Sequence, residues 1–214
     1  MANTLFDKKT VKKIDEILSK MTKKVYVVLL REKDDPYSDT ALKMLEELSA
    51  INEKLKYKII YKDSEEANVY NVEAFPAIVL EDENEKSFGV YYYGIPAGLE
   101  FGNFLNEVMN FSSGPVSHLS EASLDKLKSV DKPIDIKVFI TPTCPHCPKA
   151  VMVGHNVALA NDNIRTTMIE ANNFGDLSRK YNVSSVPQVV INENIIFVGA
   201  LPEEEYVNKV LEAI

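Results

Sequence analysis

Along the first half of the chain the apolar positions change their spacing several times, and each change marks an element. Residues 8–20 carry apolar side chains at helical intervals among lysines and acids, which predicts an amphipathic helix. The continuous apolar run "VYVVLL" (25–30) has the length and β-branched content of a buried strand. "DDPYSDT" then opens a second helix, on which Leu42, Leu45, Leu48 and Ile51 recur at helical spacing. A strand over "KYKIIY" (56–61) follows, and "VYNVEAFPAIVLEDENEKSFGVYYY" (69–93) reads as two strands folded about the acidic turn "EDENEK". A helix over about 97–110 leads into "NFSSGPVSHLSE" (110–121), where clustered Ser, Gly and Pro predict a linker.

Beyond the linker the same order returns. A helix over 121–130, the strand "IDIKVFI" (134–140), a helix opened by "TCPHCPK" and the strand "IRTTMI" (164–169) come in turn. "KYNVSSVPQVVINENIIFVG" supplies a short helix end and two strands, and a closing helix carries Tyr206, Val207, Val210 and Leu211. Two alignments fix the repeat: "VYNVEAFPAIVLEDE" lies over "KYNVSSVPQVVINEN" at an offset of 111, and "DPYS" lies over "CPHC" at an offset of 109. A period this long is not that of a solenoid and predicts two copies of one domain, residues 1–113 and 114–214. Each copy is expected to be an α/β fold with a mixed central sheet flanked by helices. In each, a helix opens at the C-terminal end of an apolar strand, the place where such folds present chemistry.

Composition adds exclusions. With 214 residues, 45% of them hydrophobic, and only 8 glycines, the chain has the make-up of an ordinary folded protein. Its formal net charge of −8 repels phosphate backbones and shows no basic stripe, so nucleic acid is not an expected partner. Lysines interrupt "MANTLFDKKTVKKIDEILSKM", which excludes a secretory signal or an anchor there, and no later stretch approaches the roughly 20 apolar residues of a spanning helix. A cytoplasmic protein with no membrane contact is expected, and in that compartment structural disulfides are rare. A lone pair of cysteines therefore points to chemistry.

Both cysteines lie in "TPTCPHCPKA" (141–150). A structural metal needs about four ligands, and beyond the cysteines there are only His118, His146 and His155, with no second Cys-x-x-Cys and no His-x₃₋₅-His. No metal is expected. Haem attachment needs histidine directly after the second cysteine, where Pro148 stands. His155, inside an apolar helix, reads as a hydrogen-bonded packing residue, and His118 as a solvated linker residue. At the strand-to-helix junction Cys144 is expected at the helix N-cap with Pro145 at the first helical position. Free amides and the positive end of the helix dipole would there hold a thiolate, which makes Cys144 the expected nucleophile. Cys147, one turn along and facing inward, would resolve the mixed disulfide that Cys144 forms.

A "CPxC" dithiol after a strand, with a "VP" and a strand some forty residues later, resembles the active site of the thioredoxin and glutaredoxin superfamily. The duplication, with "YYYGIPAGLEFGNFL" (91–105) and "FITPTCPHCPKA" (139–150), is more closely similar to the two-domain protein disulfide oxidoreductases of thermophilic archaea. That resemblance implies tandem thioredoxin-like folds, exchange of protein disulfides through a redox-active Cys144–Cys147 disulfide, and a cis proline at Pro187. The backbone at Val186 before it would pair with an incoming peptide. Family members commonly carry a second dithiol in the N-terminal half, where this chain has Asp35, Pro36, Tyr37 and Ser38. That site is degenerate, although Asp35 before an N1 proline remains a good helix cap. Between the cysteines, Pro145 and His146 resemble the pair in the bacterial periplasmic thiol oxidase, and an imidazole near the helix start would favour the thiolate.

No Gly-x-Gly-x-x-Gly follows any strand, so no bound cofactor is expected. Electrons would come from another protein, such as a thioredoxin-reductase-like flavoprotein, or from a small thiol. Two other readings stand beside the oxidoreductase: a client-binding scaffold that barely uses its dithiol, and an electron adaptor to a peroxiredoxin. The latter resembles the duplicated segment that opens bacterial alkyl hydroperoxide reductase flavoproteins. Val138 stands where thioredoxins keep a buried aspartate, which leaves the proton acceptor for Cys147 unassigned.

Overall fold

In the computed structural model, which describes residues 4–214, Asp7 caps α1 (Lys8–Leu18) by accepting the Thr10 amide at 2.7 Å. The helix buries Ile14 and Leu18. The apolar run that follows is β1 (Val25–Arg31), with α2 (Pro36–Ile51) after it. On α2 the buried stripe is Ala41, Met44, Leu45 and Leu48; Leu42 and Ile51, expected on that stripe, are only half-buried at its margins. β2 (Leu55–Tyr61) lies parallel to β1, and β3 (Ala77–Glu81) antiparallel to it on the other side. Between them is α3 (Ala67–Tyr70), a single turn too short to leave a periodic signal.

The chain divides into two units, and not at the expected cut between residues 113 and 114. One unit comprises the residues up to Ser87 together with Phe104–Pro115; the other comprises Phe88–Asn103 and Val116–Ile214. β4 (Ser87–Tyr93) falls almost wholly in the second unit because it lies parallel to β6 (Ile164–Glu170), Val90 opposite Thr166 through Tyr93 opposite Ile169. Gly89 permits the approach: it sits at φ +73°, and a Cβ there would lie 2.3 Å from the Ile164 carbonyl oxygen. α4 (Glu100–Ser113) starts in the second unit and ends in the first. Residues 110–113, expected in the linker, are helical. Ser112 is fully buried because its hydroxyl takes the amides of Thr22 and Lys23 at 2.8 and 3.1 Å, a use of serine that composition cannot distinguish from a loop.

In the second unit α5 (Glu121–Leu127) is capped by Ser120. β5 (Ile134–Ile140) lies parallel to β6 in the register that β1 keeps with β2, offset by 109 residues (Val25 with Leu55, Ile134 with Ile164). α6 (Cys147–Ala160) joins β5 to β6, and α7 (Gly175–Lys180) leads to β7 (Gln188–Ile191), antiparallel to β5. β8 (Ile195–Val198) pairs antiparallel with β7, giving the strand order β4-β6-β5-β7-β8. α8 (Glu203–Leu211) buries Tyr206, Val207 and Val210. The repeated helix–strand pattern is thus a repeated mixed sheet with helical cover, and both potential sites lie where β1 and β5 end. Among the described residues no helix is long and apolar enough to cross a membrane.

Candidate active site

β5 ends at Ile140, and the turn from Thr141 to His146 delivers Cys144 to the head of α6. Cys144 and Cys147 form a disulfide with their Cα atoms 5.5 Å apart. The Cys147 amide donates to Cys144 Sγ at 3.1 Å, the side-chain-to-third-residue contact of a helix cap. The regular helix nevertheless starts at Cys147, with His146 as its N-cap, not at Cys144 with Pro145 at N1. The reason is Pro148: it has no N–H to close a turn onto the Cys144 carbonyl. At the equivalent place in the first unit Asp39 has one, and it bonds the Asp35 carbonyl at 2.9 Å. There the expected cap appears in full, with Asp35 before Pro36 and its carboxylate accepting the Ser38 amide at 2.7 Å.

The two sulfurs are unequally placed. Cys144 keeps 7% exposure and Cys147 none. Pro145 and His146 between them are exposed. The Val186–Pro187 bond is cis, and it brings the Val186 carbonyl oxygen to 3.7 Å from Cys144 Sγ. Pro187 is buried, and its carbonyl accepts the Gly199 amide at 2.8 Å, which ties the proline to the end of β8. Cys144, Cys147 and Val186 are therefore brought together at one opening, with His146 beside it.

A buried carboxylate missing from the sequence reading is linked, through Asn103, to Pro148, the residue after Cys147. Glu100 begins α4 at 1% exposure. Asn103 donates through its amide nitrogen to Glu100 Oε2 at 3.1 Å and to the carbonyl of Pro148, the residue after Cys147, at 2.7 Å. Glu100 Oε1 is buried with no partner among the described residues. Burial pushes the carboxyl up to about 7, against the opposing hydrogen bond from Asn103. The preceding loop is pressed on the dithiol turn: the Leu99 amide bonds the Pro142 carbonyl at 3.0 Å, and at Gly98 (φ +60°) a Cβ would come within 2.3 Å of the same oxygen. Gly98, Leu99 and Asn103 thus pack against the dithiol turn. The nearest sequence signal was an acid opening a helix, which by itself reads as a solvated first turn.

Val138 is fully buried on β5. His155 is also fully buried, edge-on to Tyr92 at 4.9 Å, and burial moves its imidazole down to about 3 despite a hydrogen bond to the Tyr91 backbone. It packs as a neutral ring. His118 is exposed, and its amide bonds Asn156. Among the described residues no three His, Cys, Asp or Glu side chains converge as a metal site would need.

At the head of α2 burial works against the Asp35 charge. Hydrogen bonds from the Ser38 side chain and backbone and from the Tyr37 amide, with Arg31 nearby, outweigh it and hold the carboxyl below its usual range. The Phe75–Pro76 bond is cis as well. The alignment that places Pro76 over Pro187 carried that signal, which the sequence reading applied to one copy only.

Residues 134–212 match the family model described as a thioredoxin domain. The thioredoxin of Methanocaldococcus jannaschii is 32% identical over 78 residues, which are 36% of this chain and 92% of that protein. A component of the alkyl hydroperoxide reductase of Pseudomonas aeruginosa is 25% identical over 57% of this chain, and the match spans 23% of that longer protein. Among solved structures, a protein disulfide oxidoreductase from Aeropyrum pernix superimposes with a TM-score of 0.86 at 27% identity, covering 98% of this chain and 95% of that one.

Proposed function

The chain belongs, through residues 134–212, to the thioredoxin family, and from that premise we propose that it exchanges electrons with protein disulfides through Cys144 and Cys147. It is a thioredoxin-like thiol–disulfide oxidoreductase; the protein substrate and the residue roles are the proposal. The observation that carries them is the inequality of the two sulfurs: Cys144 keeps a small exposed area and accepts an amide, while Cys147 has none.

In the reducing direction Cys144 attacks, as thiolate, one sulfur of the substrate disulfide. The substrate S–S bond breaks, a mixed disulfide forms, and the first substrate thiolate leaves. Cys147 then loses its proton, for which the buried Glu100 is the assigned acceptor, and attacks Cys144 Sγ. The second substrate thiolate departs, and the Cys144–Cys147 disulfide forms. Two electrons have passed to the substrate, and an external dithiol returns them. Val186, before the cis proline, aligns the peptide, and His146 beside the helix start favours the thiolate. The chemistry needs no bound cofactor, since the electron pair resides in the dithiol. The expected reductant is a thioredoxin-reductase-like flavoprotein or a small thiol, in a cytoplasmic setting that keeps it reduced.

The test is reduction of insulin disulfides by dithiothreitol with and without the protein. Acceleration that is lost in Cys144→Ser, with a mixed disulfide trapped by Cys147→Ser, supports the assignment. No acceleration, with Cys144→Ser still holding clients as tightly as wild type, would establish the scaffold reading instead. A second reading is favoured by the match to the alkyl hydroperoxide reductase component: electrons pass from Cys144 and Cys147 to a peroxiredoxin. Reduction of a peroxiredoxin disulfide much faster than that of insulin would select it.

A further inference from the structure

The net negative charge of the chain conceals a local reversal at the other end of β1 from the degenerate site. Lys23 and Lys24 lead into β1, Lys54 leads into β2, and Lys56 is the second residue of β2. In the parallel register Tyr26 is beside Lys56, and the Val25 amide bonds the Lys54 carbonyl at 3.0 Å. Tyr26 and its register partner Lys56 leave their strands by the same face, with Lys24 and Lys54 just before the strand starts. These residues line a cavity of about 620 Å³ within the first unit.

Two of the four ammonium groups are already engaged. Lys23 pairs with Glu83 at 2.7 Å, and Lys54 donates to the Met21 carbonyl at 2.6 Å. Lys24 and Lys56 meet no acceptor among the described residues. The only acids on the wall are Glu53 and Glu83, so four lysines against two glutamates leave a local charge of +2 in a chain of net −8. Parallel strands are about 4.8 Å apart, which crowds these cations within one Debye length of about 8–10 Å, and they repel one another until an anion sits between them.

The shape and donor set define the anion. The hollow is partly open to solvent and wide enough to seat a small anion. Ammonium groups arriving from two strands act as point charges and suit phosphoryl oxygens that point in several directions; the wall has no arginine fork for a planar carboxylate. Tyr26, half-buried on the wall with Lys58 at 4.8 Å over its ring, offers an aromatic surface beside the charges. We propose that this cavity binds a small polyphosphate anion, inorganic or the phosphate chain of a nucleotide, held chiefly by Lys24 and Lys56.

Titration calorimetry of the full chain at low salt, with sodium triphosphate and with ADP as probes and sodium chloride at matched ionic strength as control, tests it. Saturable binding of at least one probe is expected, weakened about tenfold or more in the Lys24→Gln/Lys56→Gln double variant, as for loss of hydrogen bonds to a charged group. Glu83→Gln, which frees Lys23, is expected to tighten binding. A Tyr26→Ala loss confined to ADP identifies a nucleotide; similar affinity for both probes with no effect of Tyr26→Ala identifies the inorganic anion. An unchanged circular-dichroism spectrum and urea-unfolding transition show that each variant is folded. No saturable binding of either probe, or equal binding by the double variant, overturns the proposal.

Discussion

Glu100→Gln is the perturbation that separates proton transfer from packing at the dithiol. Glutamine keeps the volume and an acceptor for Asn103 but cannot take a proton from Cys147. Burial lifts the carboxyl from 4.5 to about 7, which corresponds to about 3 kcal/mol against the ionised form. At neutrality the group is therefore near half-ionised, able to accept a proton when the disulfide closes and to return it when the disulfide opens. The wild-type rate of insulin reduction should rise with pH through about 7 as the carboxylate forms. In Glu100→Gln that inflection should vanish, with the rate at about pH 8 lower by roughly 10²-fold, the lower end for loss of a general base. Alkylation of Cys144 should be little changed, and Glu100→Asp should recover part of the rate. Stability should move the other way. A carboxyl whose folded pKa is raised loses stability as pH climbs from its unfolded value through its folded one, here from about 4.5 to about 7. The variant should thus be the more stable protein at about pH 8, by no more than about 3 kcal/mol, and slower. An unchanged pH profile, or slowing by the same factor at every pH, would show Glu100 to be a packing residue.

Three further outcomes follow from the same reasoning. Glu107, in the first unit, is 7% exposed and pushed by burial up to about 7. Glu107→Gln should stabilise the protein against urea by up to about 3 kcal/mol at about pH 8 and by little at about pH 5; a gain independent of pH would contradict the burial argument. Gly98→Ala should cost about 2–3 kcal/mol and slow insulin reduction, because the new Cβ meets the Pro142 carbonyl at a positive φ. Gly102→Ala, which meets nothing within 4 Å in the helix that follows, should instead gain about 0.5–1 kcal/mol. His146→Tyr should make the reduction potential more negative by removing the imidazole from the helix start; an unchanged potential in a glutathione equilibration would show the histidine to be a spacer.

How much of this was legible depended on how locally each feature is encoded. The strands and helices were readable because apolar spacing along a few turns reports which face is buried, as in "VYVVLL" and in the closing helix with Tyr206 and Val210. The duplication was readable because "DPYS" over "CPHC" keeps the same strand-to-helix junction even where the chemistry has gone. Where the helix begins was missed, because Pro145 was weighed as a helix starter and Pro148 was not weighed as a missing donor. The fate of β4 was invisible, since its neighbour β6 is more than seventy residues away and only Gly89 marks the contact. Glu100 was missed for the same reason: burial, and not its neighbours in sequence, turns an ordinary helix-opening acid into a group that titrates near neutrality. Net charge likewise hid Lys24 and Lys56, which come together only through the pairing of β1 with β2.

The most direct measurement is the pH dependence of iodoacetamide alkylation of the reduced protein, with the modified residue located by peptide mapping. The account predicts modification at Cys144 alone, with a midpoint below the ordinary thiol value of about 8.5, while the fully buried Cys147 is protected. Equal labelling of the two sulfurs, or a Cys144 midpoint like that of free cysteine, would contradict it.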